Sequence, residues 1–458
     1  MTAALPRSPI LLLAWFSVLA AGERTALDRF VEAQDPAYKY QLVTTLRGRD
    51  HTAYVLDMTS QSWRSSSEVD RVHWQHWLTI IKPDKVTLST ALLFIDGGAN
   101  GRRPPARADG MLLHFARSTG AIVAELRMVP NQPLQFPGDK MEKRIEDELI
   151  AYTWDKFLKG ADELWPAQLP MTKSAVRAMD TVTAFCRSPQ GGVVEVDRFV
   201  VSGASKRGWT TWLTAAVDKR VVAIMPIVID MLNLEPSFVH HWQVYGFWAP
   251  AVKDYVDMGI MRWMGKQEFR ALMKLVEPYE YRDRFTMPKY LVNAAGDQFF
   301  LPDSSQFYFD DLPGEKYLRY VPNTDHSLAR SDAGRSLLAF FESVLTGKPR
   351  PKFSWTLEKD GTIRLTVNDR PREVKLWHAT NPSARDFRLE TIGRAWKARE
   401  LRDQGGGVYV GSAPPPPNGW TAFFLEMTYP SGGKYPFKFT TQVRVVPDRL
   451  PFPPPRAE

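Results

Sequence analysis

Apolar residues recur along this chain in two ways. In short blocks they run together or alternate. Residues 38–46, 52–58, 74–81, 85–95, 120–129, 199–201, 221–229, 289–295 and 316–321 are rich in β-branched and aromatic side chains and read as strands. Between the later blocks lie stretches with a three-to-four-residue spacing, at 107–119, 142–158, 171–185 and 327–345, the period of helices with one apolar face. Strands alternating with helices predict a mostly parallel sheet covered on both faces. Residues 231–286 interrupt that alternation. They are helix-prone and aromatic (Phe238, Trp242, Tyr245, Phe247, Trp248, Tyr255, Trp263) and read as a helical cap over the strand C-termini, with most of its rings packing cap on body.

Past Pro349 and Pro351 the helical period disappears. Short strand blocks at 353–359, 362–368, 374–378, 387–390, 408–411, 421–428 and 437–446 predict a β-sandwich domain over 352–446, with Asp360-Gly361 as a hairpin turn. The Pro-rich tail 447–458 is expected to fray. At the other end, Arg7, the apolar run 10–20 and the small residues Ala20-Ala21-Gly22 predict a signal peptide over 1–22. The expected division is therefore a signal peptide, an α/β domain over 23–349 with its cap at about 231–286, the sandwich, and the tail.

Composition narrows the functional classes. With 458 residues, 44% of them hydrophobic and 24% charged, the chain is globular and long enough for two domains. Its net charge of +8 is spread out, with no basic run interleaved with aromatics, so a nucleic-acid partner is not expected. The single cysteine, Cys186, excludes an intramolecular disulfide and a cysteine metal cluster, and reads as a buried small hydrophobe. No stretch after the signal segment is long and apolar enough to predict stable membrane insertion.

The chemistry centres on 197–220. The apolar run Phe199-Val200-Val201 meets Gly203-Ala204-Ser205-Lys206-Arg207-Gly208, and a helical pattern follows. A serine on a sharp strand-to-helix turn needs small neighbours, and the helix start aims N–H groups at an oxyanion. The second glycine of the usual G-x-S-x-G comes one place late, at Gly208. A serine hydroxyl is a poor nucleophile without a base and a carboxylate that orients the base. Asp297 and His326 follow Ser205 in the order Ser, Asp, His, each just past a predicted strand end. Asp230 and Asp303 are rival acids, while Asp325 sits too close in sequence to His326 to face its ring. The Lys206 N–H and the Gly-rich loop Gly97, Gly98, Ala99 are the expected oxyanion donors. The Lys206 side chain reads as solvated or salt-bridged. The adjacent His240 and His241 fall on different helix faces, so no shared metal is expected, and no cofactor is implied.

With these residues in hand, the chain resembles the PhoPQ-activated pathogenicity-related family. The resemblance covers most of the mature chain. It rests on Asp35-Pro36-Ala37-Tyr38, Ser60-Gln61-Ser62-Trp63, Trp74 with His76-Trp77-Leu78, Asp96-Gly97-Gly98, Val129-Pro130-Asn131-Gln132-Pro133, Glu146-Asp147-Glu148-Leu149-Ile150-Ala151-Tyr152, the Gly203–Gly208 turn, and Asp230-Met231-Leu232-Asn233. It implies an exported α/β-hydrolase followed by a β-rich C-terminal domain. The shifted turn is also similar to that of glucuronoyl esterases, which carry a basic residue after the serine. The expected function is an exported, periplasmic or secreted, serine hydrolase acting on an ester or amide of a small-molecule, peptide or carbohydrate-ester substrate. The alternatives are a secreted peptidase with Glu146 or Asp147 as an anchor for a substrate amine, and a non-catalytic binding or signalling protein on the same fold.

Overall fold

The computed structural model describes residues 24–455, so the expected signal peptide lies outside the described residues. Nine strands precede residue 350: β1 (Lys39–Arg47), β2 (His51–Ser62), β3 (His73–Pro83), β4 (Thr90–Ile95), β5 (Val123–Leu126), β6 (Arg198–Ala204), β7 (Val221–Ile227), β8 (Lys289–Ala294) and β9 (Lys316–Val321). Eight follow it: β10 (Phe353–Leu357), β11 (Ile363–Val367), β12 (Glu373–Asn381), β13 (Lys397–Glu400), β14 (Val408–Gly411), β15 (Trp420–Tyr429), β16 (Phe437–Thr440) and β17 (Arg444–Val446). The helices are α1 (Ala26–Glu32), α2 (Gly110–Thr119), α3 (Glu146–Leu158), α4 (Gln168–Arg187), α5 (Lys206–Val217), α6 (Leu234–Tyr245), α7 (Lys253–Asp257), α8 (Gln267–Val276) and α9 (Ala333–Thr346).

The first nine strands lie side by side in the order β1-β2-β3-β5-β4-β6-β7-β8-β9. Pairing is antiparallel from β1 to β5 and parallel from β5 to β9. This is the expected α/β-hydrolase architecture. Burial follows from it. β8 is buried at every position because helices cover both faces of the sheet, whereas β11 alternates buried and exposed residues, as a one-faced antiparallel strand does. Among the strand residues, His76 is a satisfied core histidine. Its ring binds the Ser60 hydroxyl at 3.0 Å and the Arg127 carbonyl at 3.1 Å, and burial lowers its pKa to about 4.

The C-terminal strands attach differently from a free-standing sandwich. β16 pairs with β9, so the large sheet continues through β16-β15-β12-β13, and only β10-β11-β14 form a second sheet. Leu365, Leu376, Phe423 and Phe439 share one buried cluster with Leu112, Phe115 and Phe340 of the α/β body. The boundary near residue 350 therefore separates folding motifs, not sheets. Two local expectations also change. Residues 389–392 form a helical turn, where 387–390 reads as a strand, and the helix expected from 327 begins at Ala333.

The cap between β7 and β8 holds α6, α7, α8 and three short 3-10 turns. Within its described part the tail lies mostly exposed on the surface, and Phe452 touches the cap. The Phe452 N–H donates to the Gln243 carbonyl at 3.0 Å, and its ring lies where a Cβ on Gly246 would be, 2.8 Å away. Among the described residues no helix is long and apolar enough to cross a membrane.

Candidate active site

Ser205 sits between β6 and α5 with φ 57° and ψ −127°, a conformation that non-glycine residues rarely adopt. Its N–H donates to the Ile227 carbonyl at 2.8 Å. The flanking glycines make the turn possible. A Cβ on Gly203 would come 2.7 Å from the Arg207 carbonyl oxygen, and one on Gly208 would meet Ile229 at 2.9 Å and the Gly203 carbonyl at 3.0 Å. The late glycine is therefore the residue that lets α5 cross close to β6 and β7. The position after Lys206 is freed for a long side chain.

Asp297 follows β8 and His326 follows β9, at the same sheet edge as Ser205. The structure joins these two. His326 Nδ1 lies 2.8 and 3.0 Å from the two Asp297 carboxylate oxygens, and Asp297 also accepts the Phe299 N–H at 2.8 Å. With Nδ1–H donating to the carboxylate, a neutral ring carries its lone pair on Nε2. That Nε2 is buried and has no hydrogen-bond partner. The His326 ring stands 4.5 Å from the Phe299 ring and 6.0 Å from that of Phe300. The same two phenylalanines line a pocket of about 30 Å³ with Ser205, Lys206, Trp154, Trp209, Phe238 and Tyr255. Ser205 lines this small aromatic pocket, and His326 packs against two of its walls, Phe299 and Phe300, without a direct hydrogen bond to Ser205.

The rival carboxylates are engaged elsewhere. Asp230 accepts the hydroxyls of Tyr308 at 2.5 Å and Tyr320 at 2.7 Å. Burial pushes its pKa up to about 7, the two tyrosine donors opposing that rise and the charges of Asp297 and Asp303 adding to it. Asp303 binds His240 at 3.1 Å and Arg385 at 2.7 Å, and Asp325 accepts from Ser327. His241 instead accepts the Ala249 N–H at 3.1 Å, so the adjacent histidines serve separate partners. No group of three metal-ligating side chains occurs among the described residues.

Lys206 is buried, and its Nζ lies 2.9 Å from both Glu146 and Asp147 at the start of α3. Asp147 also accepts the Tyr255 hydroxyl of the cap at 3.0 Å. Arg207 binds Glu146 through both terminal nitrogens, at 2.6 and 2.8 Å, and donates from Nε to the Val129 carbonyl at 2.5 Å. Burial alone would raise the Glu146 carboxyl, but the Arg207 hydrogen bonds and the charges of Lys206 and Arg207 hold it down at about 2. Two carboxylates thus meet two cations. Of the expected oxyanion donors, the Gly97 N–H is already given to Asp96 at 2.8 Å, while those of Gly98 and Ala99 make no hydrogen bond. Lys206 opens α5, so its N–H has no carbonyl within the helix to bind. Gly98 and Ala99 line an open groove of about 880 Å³ with Arg102, Arg103 and Glu146, outside the Ser205 pocket.

Sequence reasoning missed Phe299 and Phe300 as residues shared by the Ser205 pocket and the His326 ring, and Val129 and Glu146 as partners of Arg207. One signal was present for the second pair: a charged residue at the place where the usual turn has its glycine.

A family model described as PhoPQ-activated pathogenicity-related protein matches residues 27–388. The chain is 39% identical to the autocrine proliferation repressor protein A of Dictyostelium discoideum over 474 residues, covering 97% of this chain and 95% of that one. Among solved structures, it is similar to acetyl xylan esterase 1 from Thermoanaerobacterium sp. JW/SL YS485, with TM-score 0.48, 16% identity, and 69% of this chain and 92% of that chain covered. An acetyl xylan esterase from Paenibacillus sp. R4 gives TM-score 0.49, 14% identity, and coverages of 70% and 92%.

Proposed function

This chain belongs to the PhoPQ-activated pathogenicity-related protein family, and from that premise we propose that it is an exported serine hydrolase. Ser205 Oγ attacks an ester or amide carbonyl while His326 Nε2 takes its proton. Asp297 keeps the His326 ring oriented and stabilises its cation. The carbonyl π pair moves onto oxygen, where the N–H groups of Lys206, Gly98 and Ala99 receive it. His326 then protonates the leaving alcohol or amine, the acyl-enzyme forms, and water added with His326 as base releases the acid and restores Ser205. The observation that carries this reading is the Asp297–His326 pair: its Nε2 is buried and unbonded, and its ring packs on the phenylalanines that wall the pocket of the strained Ser205.

The charges favour an ester over a free-amine peptide substrate. Glu146 and Asp147, the candidate anchors for a substrate amine, are both taken up by Lys206 and Arg207. Acetyl xylan esterases among the structures reported above make acyl esters of carbohydrates a natural first panel. A second reading, a binding or signalling protein that keeps the fold without turnover, draws on the printed name of the Dictyostelium relative and on a pocket of only about 30 Å³. Export rests on the apolar segment at residues 10–20. A fluorophosphonate probe decides between the two readings. Labelling of the protein that disappears in Ser205→Ala supports the hydrolase, and a protein that never labels favours the binder.

A further inference from the structure

The pocket explains what Ser205 does but not why a buried arginine follows two places later. Arg207 does not line the Ser205 pocket, and its side chain is only 12% exposed. Its guanidinium packs beside Gly97 in the loop between β4 and α2. A Cβ built on Gly97 would sit 2.6 Å from Nη2, so a side chain there would displace the guanidinium from its present seat. On one side it holds the Val129 carbonyl, and Val129 is itself tied to this loop by donating its N–H to Asp96 at 3.2 Å. On the other it grips Glu146 with two nitrogens. Glu146 Oε1 accepts from Gln132 Nε2 at 2.6 Å, and that same Nε2 donates to the Gly98 carbonyl at 3.1 Å. The Gln132 side-chain oxygen accepts the Glu146 N–H at 2.6 Å, and the Gln132 carbonyl accepts the Asn100 N–H at 2.5 Å. Glu146 has φ +48°, an unfavourable backbone held by this web.

We infer that Arg207, gripped by Glu146, is a positioning residue that sets the Gly97–Ala99 loop at a fixed distance from Ser205, so that the loop N–H groups meet the developing oxyanion. The inference rests on the serine-hydrolase reading. Its logic is geometric. Arg207 is covalently two residues from the nucleophile, and its planar fork contacts the loop at Gly97 directly and at Gly98 through Glu146 and Gln132. A packing filler would not need charge, because an apolar side chain fills the same space without the cost of burying an ion pair. Three coplanar hydrogen bonds need a guanidinium, and a lysine ammonium cannot reproduce them.

The test uses the full mature chain with Arg207→Lys, Glu146→Gln and Gly97→Ala, the last pushing the guanidinium away from the loop side. Turnover of short-chain p-nitrophenyl esters is read beside the inhibition constant of a trifluoromethyl ketone. Ser205 Oγ adds to that ketone, its proton passing to His326 and the carbonyl pair becoming a stable oxyanion. Each variant is expected to lose roughly 100- to 1,000-fold in kcat, the range for losing an oxyanion donor, with KM within about 3-fold. Ketone affinity should fall in step with kcat, and Arg207→Lys combined with Glu146→Gln should be little worse than either alone. Unchanged kcat, a loss carried by KM, or lower kcat with undiminished ketone affinity each overturns the inference. Should Arg207→Lys not fold, Gly97→Ala gives the same reading. A wild-type protein that binds no ketone and takes no fluorophosphonate refutes the hydrolase reading instead, which keeps the two failures apart.

Discussion

The turn that carries Ser205 and the loops that carry Asp297 and His326 leave the same edge of one sheet, yet different chemistry holds them. Around Ser205 the fastening is ionic and local to the body and cap: Lys206 and Arg207 against Glu146 and Asp147, with Tyr255 of the cap on Asp147. Around the acid–base pair it is mostly uncharged and comes from the C-terminal segment. The Leu389 N–H donates to the Gly296 carbonyl at 3.0 Å, and a Cβ on Gly296 would strike Leu389 N at 2.9 Å and the Thr324 carbonyl at 2.8 Å. The Asn323 amide exchanges two hydrogen bonds with the Trp396 main chain, at 2.9 and 3.0 Å, three residues before His326. Ion pairs answer to pH and charge reversal, whereas main-chain bonds answer to shape. A nucleophile turn tied by charge and a histidine loop tied by backbone should therefore fail under different insults.

The largest losses are expected at the two reactive ends, Ser205 and Asp297. Ser205→Ala should abolish probe labelling and reduce ester turnover by about 10⁶-fold, with the fold intact by circular dichroism. On the other side, Asp297→Asn should reduce kcat on the order of 10⁴-fold by disturbing the His326 tautomer. Asp230→Asn should leave kcat within about 10-fold, since Asp230 faces tyrosines. A reversal of these two effects in steady-state kinetics would reassign the acid.

Smaller effects sharpen the contrast. Asn323→Ala removes two hydrogen bonds from the histidine loop and should cost about 1–3 kcal/mol in chemical denaturation, with kcat lowered more than KM is raised. Glu146 tests the ionic side by pH. Its folded carboxyl lies at about 2, below the ordinary 4.5, so it stabilises the fold above about pH 4.5, and that contribution drains away as pH falls toward 2. Glu146→Gln should remove this part of the acid dependence of the melting temperature, and Asn323→Ala should not. Asp230 gives the smallest signal and the opposite sign. Its folded pKa of about 7 lies above the ordinary 3.8, so the native state holds a proton that the unfolded chain has released. Stability therefore declines as pH rises between those values. Melting curves of Asp230→Asn across that window should be flatter than those of the wild type.

The parts legible in the sequence are those written in local pattern. The parallel strands β6 to β9 announce themselves as mostly apolar runs, and the three proposed reactive residues stand just beyond such runs. What stayed hidden depends on meetings between distant segments. Nothing in the period of residues 437–440 says that Thr440 pairs with Leu318, so the C-terminal strands read as a separate sandwich. The partners of Lys206 and Arg207 lie about 60 residues earlier, at the start of α3, where a run of acidic residues looks like ordinary helix-start charge. Phe452 likewise finds its seat on Gly246 only because the cap offers a left-handed glycine there, with φ +73°.

The pairing of β16 with β9 also sets an order of events during folding. The Tyr320 N–H binds the Thr440 hydroxyl across 120 residues of sequence, at 3.0 Å. Closing a loop of that length costs entropy before the contact returns anything, and such contacts form late in a folding reaction. The α/β body can therefore collapse around its parallel strands while the Asp297 and His326 loops still lack their backing. Hydrogen exchange in a refolding experiment should show the Ser202 and Ala204 amides protected early, and those of Leu389, bonded to the Gly296 carbonyl, and Tyr320 only when residues 389–440 dock.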